Sequence, residues 1–145
     1  MRVIALCLLQ HRDCLLLQEF WHEFDNYKYY RPPGGGVEHG ERAEEAVRRE
    51  MWEELNSPID DVRLVEVFEN LFRYGGEQRH EIVFLFQATP LGSHLFASNE
   101  VVIRENGRLR KGLWVPLSKL LRREVVICPQ RLSELLLRGR LPLSY

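Results

Sequence analysis

Apolar and polar positions divide the chain into short runs with two different periods. "RVIALCLLQ" (2–10) and "CLLLQEF" (14–20) are nearly continuous apolar stretches parted by "HRD", which reads as a hairpin of buried strands. "VRLVEVFENLFRY" (62–74) and "RHEIVFLFQAT" (79–89) flank "GGEQ" and predict a second, longer hairpin. Between the two hairpins, "WHEFDNYKYYRPP" (21–33) is aromatic and polar without a clean period. It reads as a loop leading into a short extended piece, because Pro32 and Pro33 push the residues before them out of helical geometry. The segment from Pro90 to Gly112 is also irregular, with "ENGR" as a turn. "LWVPLSKLL" (113–121) predicts a strand running into a short helical turn. "PQRLSELLLRG" (129–139) predicts a helix, with Pro129 near its start, Gly139 at its end and Leu132, Leu135 and Leu136 on one face.

A longer helix is expected from about Glu41 to Leu55, stopped by Asn56-Ser57-Pro58. Val47, Met51 and Leu55 recur at i, i+4 and i+8 and should pack on the sheet. Glu50, Glu53 and Glu54 lie on the adjoining face, with Ala43 and Ala46 beside them, leaving the acids open to something from outside. Arg49 can pair with Glu45 or reach back to the preceding loop. Like charges one turn apart cost a few tenths of a kcal/mol per pair. A hard cation would reverse that cost, because Mg²⁺ takes carboxylate and phosphate oxygens. Gly34, Gly35 and Gly36 precede the acids and let backbone approach a ligand closely.

Composition narrows the class. The 145 residues suit one domain, 1–145, and the formal charge of −1, from 20 basic and 21 acidic side chains, disfavours a polynucleotide binder. Cys7, Cys14 and Cys128 sit in apolar runs without metal-ligand spacing and read as small buried thiols. The early apolar run is broken at once by Gln10–Asp13, too short for a leader or a membrane span, so a cytoplasmic setting is expected.

The spacing of the acids is specific. Gly35, Glu41, Arg49-Glu50-Met51 and Glu53-Glu54 match the G-x5-E-x7-R-E-U-x-E-E-x-G-U box (U aliphatic), and the chain resembles the Nudix hydrolases over Gly35–Ser57. "RPPGGGVEHGE" is similar to the usual lead-in. Asn56 stands in place of the box glycine and Ser57 in place of its aliphatic residue. Asparagine is the next-best residue for a left-handed helix cap, and Ser57 loses one apolar contact.

The resemblance implies an α/β fold, a Nudix-type α/β/α sandwich with a mixed β-sheet. It implies hydrolysis of a diphosphate linkage in a small nucleotide by metal-activated water, with Mg²⁺ as cofactor and Mn²⁺ as a substitute. Glu50 and Glu54 would be the principal metal ligands, Glu53 a ligand or proton acceptor, and the carbonyl of Gly34 or Gly35 a further ligand. Glu41 would support the site and Arg49 orient the acids. The general base varies in the family, so Glu100 and Glu105 join Glu53 as candidates. For the substrate, stacking on an aromatic residue of segment 21–30, Tyr29 among them, is expected. Tyr74 resembles a feature of the family's diadenosine polyphosphate hydrolases. Arg31, Arg73 and Arg79 are cations suited to phosphate oxygens, and His80 and Glu81 could stand at the rim. The partner is then a small nucleotide or other diphosphate, not a nucleic acid polymer or a membrane. Dimers are common in the family, so a homodimer is among the expected assemblies. Two alternatives stay open: a hydrolase of a non-nucleotide diphosphate, and a non-catalytic module that senses a nucleotide.

Overall fold

A computed structural model describes residues 1–141 and 143. The chain builds a curled mixed sheet between helices. Its strands are β1 (Arg2–His11), β2 (Cys14–His22), β3 (Tyr27–Arg31), β4 (Gly34–Gly36), β5 (Ile59–Tyr74), β6 (Glu77–Pro90), β7 (Glu100–Glu105) and β8 (Arg108–Pro116). The helices are α1 (Ala43–Leu55), α2 (Leu117–Leu121) and α3 (Gln130–Leu137). Along the sheet the order is β5-β6-β1-β2-β8-β7, with β3 added on β2 and β4 on β1. β1 runs parallel to β6, and its other pairings are antiparallel.

Side chains of β1 alternate between two cores, as the period of a strand requires. Ile4, Leu6 and Leu8 face α3, where Leu132, Leu135 and Leu136 are buried. Ala5, Cys7 and Leu9 face α1, which buries Val47, Met51 and Leu55 against them. The α/β/α sandwich read from the sequence is thus the architecture. β1 and β2 pair through Gln10↔Leu15 and His11↔Cys14 at their turn, then diverge, and β4 and β3 line the resulting opening.

Both hairpins and the two later helices stand where the pattern placed them. Two segments do not. "WHEFDNYKYYRPP" is no loop: β2 continues to His22 and returns as β3, with Asn26 at φ 52 in the turn. Its aromatic residues on both strand faces hide the alternation. The irregular segment from Pro90 to Gly112 contains a 3₁₀ turn, Ser93–Phe96, and the β7–β8 hairpin. There Val101 and Ile103 point inward, but Val102 is 62% exposed, so apolar residues on both faces mask the period of two. Helix α1 also begins at Ala43, later than Glu41, and Ala46 is wholly buried instead of lying beside the acids.

Candidate active site

Helix α1 meets the glycine strand β4 at the open end of the sheet, and the acids gather there. Gly34 has φ +147, and a Cβ on it would lie 2.0 Å from the carbonyl oxygen of Ala5. Only glycine lets β4 lie this close to β1. At Gly35 a Cβ would lie 2.6 Å from Oε1 of Glu50, so the carboxylate rests in space that glycine leaves free. The N–H of Gly34 donates to Oε2 of Glu54 at 3.3 Å. Asn56 closes α1 in left-handed geometry, φ 51 and ψ 43, its N–H donating to Trp52 O at 2.9 Å. Ser57 does more than lose an apolar contact. It is buried, donates to Pro58 O at 2.9 Å and accepts from Gly92 N–H at 2.8 Å, tying the helix end to the loop after β6.

Arg49 organises the acids. Its Nε and Nη2 grip both oxygens of Glu41 at 2.8 and 3.0 Å, and Nη2 also donates to Gly36 O at 3.0 Å. Nη1 reaches Glu50 at 3.1 Å and Glu53 at 3.3 Å. Arg49 therefore reaches back to the loop and leaves Glu45, which accepts the Arg42 N–H at 3.4 Å. This fork of charged hydrogen bonds holds Glu41 below the ordinary carboxylate range and raises Arg49 further.

Glu54 lies on the inner side, 4% exposed. Burial, and then the Glu50 carboxylate beside it, push Glu54 up to about 9, against the milder pull of Arg31. The carboxyls of Glu50 and Glu54 adjoin one another. Two adjoining acids, a backbone groove that a methyl would fill and a water-accessible mouth form a donor set suited to a hard divalent cation. Among the described residues no three acidic, thiol or imidazole groups converge on one point, because Arg49 draws Glu50 and Glu53 toward itself.

The acid cleft, about 430 Å³, is lined by Glu38, Arg49, Glu50, Glu53 and Glu54 and, from the β7–β8 turn, Arg104 to Gly107. Glu105 thus joins the acids, whereas Glu100 lies at the far end of β7 and pairs with Lys111 at 3.2 Å. A second cleft of about 260 Å³ opens between β3 and the β5–β6 hairpin. Tyr27, Tyr29 and Tyr74 wall it around His22, whose ring stacks on Tyr27 at 4.7 Å and meets Tyr74 edge-on at 4.8 Å. Burial pushes the Tyr29 phenol above its ordinary range, so it stays neutral. Asn70 and Glu81, joined at 3.3 Å, and Gln130 supply polar groups. Arg31 lines this cleft while acting electrostatically on Glu54, and so stands between the two. Arg73 is on its wall. Arg79 is not; it lies over the Tyr74 ring at 5.9 Å and pairs with Glu77. His80 turns away to Glu69 at 2.8 Å. His22, Asn70 and Gln130 went unmarked because nothing local distinguishes them. Gln18 had a signal, being a lone amide inside "CLLLQEF".

Cys7 is buried and Cys14 and Cys128 half-buried, all free, and burial raises each thiol. Among the described residues no helix is long and apolar enough to cross a membrane.

A family model described as the NUDIX domain matches residues 1–136. No curated protein matches the sequence. Among solved structures, a MutT protein from Bacillus halodurans aligns with TM-score 0.68 at 20% identity, over 97% of this chain and 82% of that one. A NUDIX hydrolase from Nitrosomonas europaea aligns with TM-score 0.66 at 15% identity, over 99% and 96%. A MutT NUDIX hydrolase from Burkholderia pseudomallei gives 0.60 at 24%, over 81% and 84%. At such identities the likeness is one of fold.

Proposed function

Because the chain belongs to the Nudix hydrolase family, we propose that it is a pyrophosphohydrolase that cleaves the diphosphate of a small nucleotide with Mg²⁺. Mn²⁺ would serve as a substitute. The observation that carries this reading is the buried Glu54 against Glu50, over the space left by Gly35. A pair of adjoining carboxylates at the mouth of a cleft is unfavourable alone and favourable around a divalent cation.

Glu50, Glu54 and a carbonyl of Gly34 or Gly35 would hold the cation, with Glu53 as a further ligand or a proton acceptor. When bound, the cation acidifies water and offsets charge on the phosphoryl oxygens. Arg49 keeps Glu50 and Glu53 at hand through its Nη1, while Glu41 fixes the guanidinium. Arg31, between the clefts, offers its fork to the phosphates. The ring walls of Tyr29 and Tyr74 take the nucleoside, stacking on its base. Glu105 is a second candidate for accepting the proton of the attacking water; its place among the acids favours it over Glu100.

The test is product release across nucleoside triphosphates, nucleotide sugars, ADP-ribose and diadenosine tetraphosphate, in Mg²⁺ and in EDTA. Metal-dependent turnover of one class supports the reading and names the substrate. Turnover undiminished in EDTA removes the cation. Silence across the panel with tight binding of one member would point to a nucleotide sensor. Turnover of sugar or isoprenoid diphosphates alone would point to the non-nucleotide alternative.

A further inference from the structure

Gln18 follows Leu15–Leu17 in β2 and is wholly buried. A buried amide is costly unless both its ends find partners. Its Nε2 donates to Oε2 of Glu105, which reaches the acid cleft from the end of β7. Among the described residues its Oε1 is buried without a partner. Directly across the β2–β3 pair stands Arg31, whose Nε is also buried and, among the described residues, unpartnered. Opposed residues of an antiparallel pair share one sheet face, with Cβ atoms about 5 Å apart. An unpaired acceptor and an unpaired donor are therefore neighbours. The polarity of the amide follows from its surroundings, since a carboxylate calls for its NH₂ and a guanidinium for its oxygen.

We propose that Gln18 is a positioning residue of the reaction, holding Glu105 in the acid cleft. Glu105 sits at the mouth of the Asn106-Gly107 turn, where backbone pairing ends at Glu105↔Arg108 and leaves the side chain free to swing. The tie to Gln18 converts that loop acid into a fixed one, aimed at the same space as Glu50 and Glu54. A residue needed only to fill the core at this point would be another leucine. The inference rests on the hydrolase reading above.

Two measurements test it. Gln18→Met keeps length and burial but removes the amide. It should lower kcat about tenfold in the wild-type background, and less than about twofold where Glu105→Gln is already present, since coupled groups are not additive. Equal losses in both backgrounds, or wild-type kcat in Gln18→Met, would overturn the assignment. The second readout needs neither substrate nor metal. The Gln18 side-chain NH₂ should exchange slowly and show a strongly shifted ¹⁵N–¹H signal that moves in Glu105→Gln. A signal indifferent to Glu105→Gln would equally overturn the tie. Should the wild-type chain turn over no diphosphate, the hydrolase reading fails, while the NMR arm still decides whether Gln18 holds Glu105.

Discussion

The two clefts flanking Arg31 are built by opposite means. The acid cleft is a lattice of charged hydrogen bonds at 2.8–3.3 Å in which Arg49 ties Glu41, Glu50, Glu53 and Gly36 together. The aromatic cleft is a set of rings 4.7–6.3 Å apart, with directional contacts few and weak. Charged networks tolerate little displacement, whereas ring walls accommodate varied flat ligands. The contrast fits one place specialised for unchanging phosphate chemistry beside another that is free to vary with the nucleoside.

Changes in the acid cleft should thus abolish turnover, and changes in the aromatic cleft should shift apparent affinity. The largest effect is expected of Glu54→Gln. Losing the cation ligand proposed above should remove several kcal/mol of charge stabilisation, on the order of 10³-fold in kcat. Its thermal midpoint without metal should equal or exceed wild type, because a buried acid facing Glu50 becomes a neutral amide of the same shape. Near-normal kcat in Mg²⁺ would remove Glu54 from the metal site.

Gly35→Ala follows, at about 10²-fold in kcat by displacement of a catalytic group. The atoms nearest the added Cβ belong to the movable Glu50 carboxylate, so circular dichroism should record little lost stability. A large fall in melting temperature with kcat retained would contradict that view. Arg49→Lys keeps the charge but loses the fork. It should cost roughly tenfold or more in kcat, as for other groups that orient metal ligands, and an unchanged rate would show that the acids hold themselves.

On the aromatic side, Tyr74→Ala should raise KM about tenfold through lost base stacking while kcat stays within threefold. A fall in kcat without a change in KM would break the division between the clefts. The smallest effect concerns pH. Glu41 is depressed below its ordinary value of 4.5, chiefly by Arg49. The stability it lends is therefore complete above that value and lost as pH falls through the lower folded-state one. The N–H of Glu38 donates to Oε1 of Glu41 at 3.0 Å. On acidification it should be the first to lose its protection from exchange, relative to the unfolded-chain rate at each pH, while the rings of the aromatic cleft keep their NMR shifts.

The acid cleft was far more legible than its neighbour, for a local reason. Glu50, Glu53, Glu54 and Arg49 share one helix, so their geometry follows from 100° per residue, and Gly34 and Gly35 precede them at short range. Legibility failed where an outcome depended on distant chain. Ala46 stands near the acids on a helical wheel, yet it is wholly buried in the core under α1. Glu100 and Glu105 looked alike in sequence, and the β7–β8 hairpin sends them to opposite ends of a strand. Tyr29 and Tyr74 meet through His22, from a hairpin that aromatic residues on both faces concealed.

The parallel pairing of β1 with β6, from Arg2↔Glu81 to Leu9↔Ala88, has a bearing on the order of events during synthesis. The strand on which α1 rests is among the first made, and its partner comes about 80 residues later, a loop whose closure entropy is met late. Until Ala88 has emerged from the ribosome, the apolar stripe of Val47, Met51 and Leu55 has only half its bed. The acids of α1 keep that nascent helix highly charged during the wait, so the side chains suited to a cation also act as a solubility tag for an unfinished sheet.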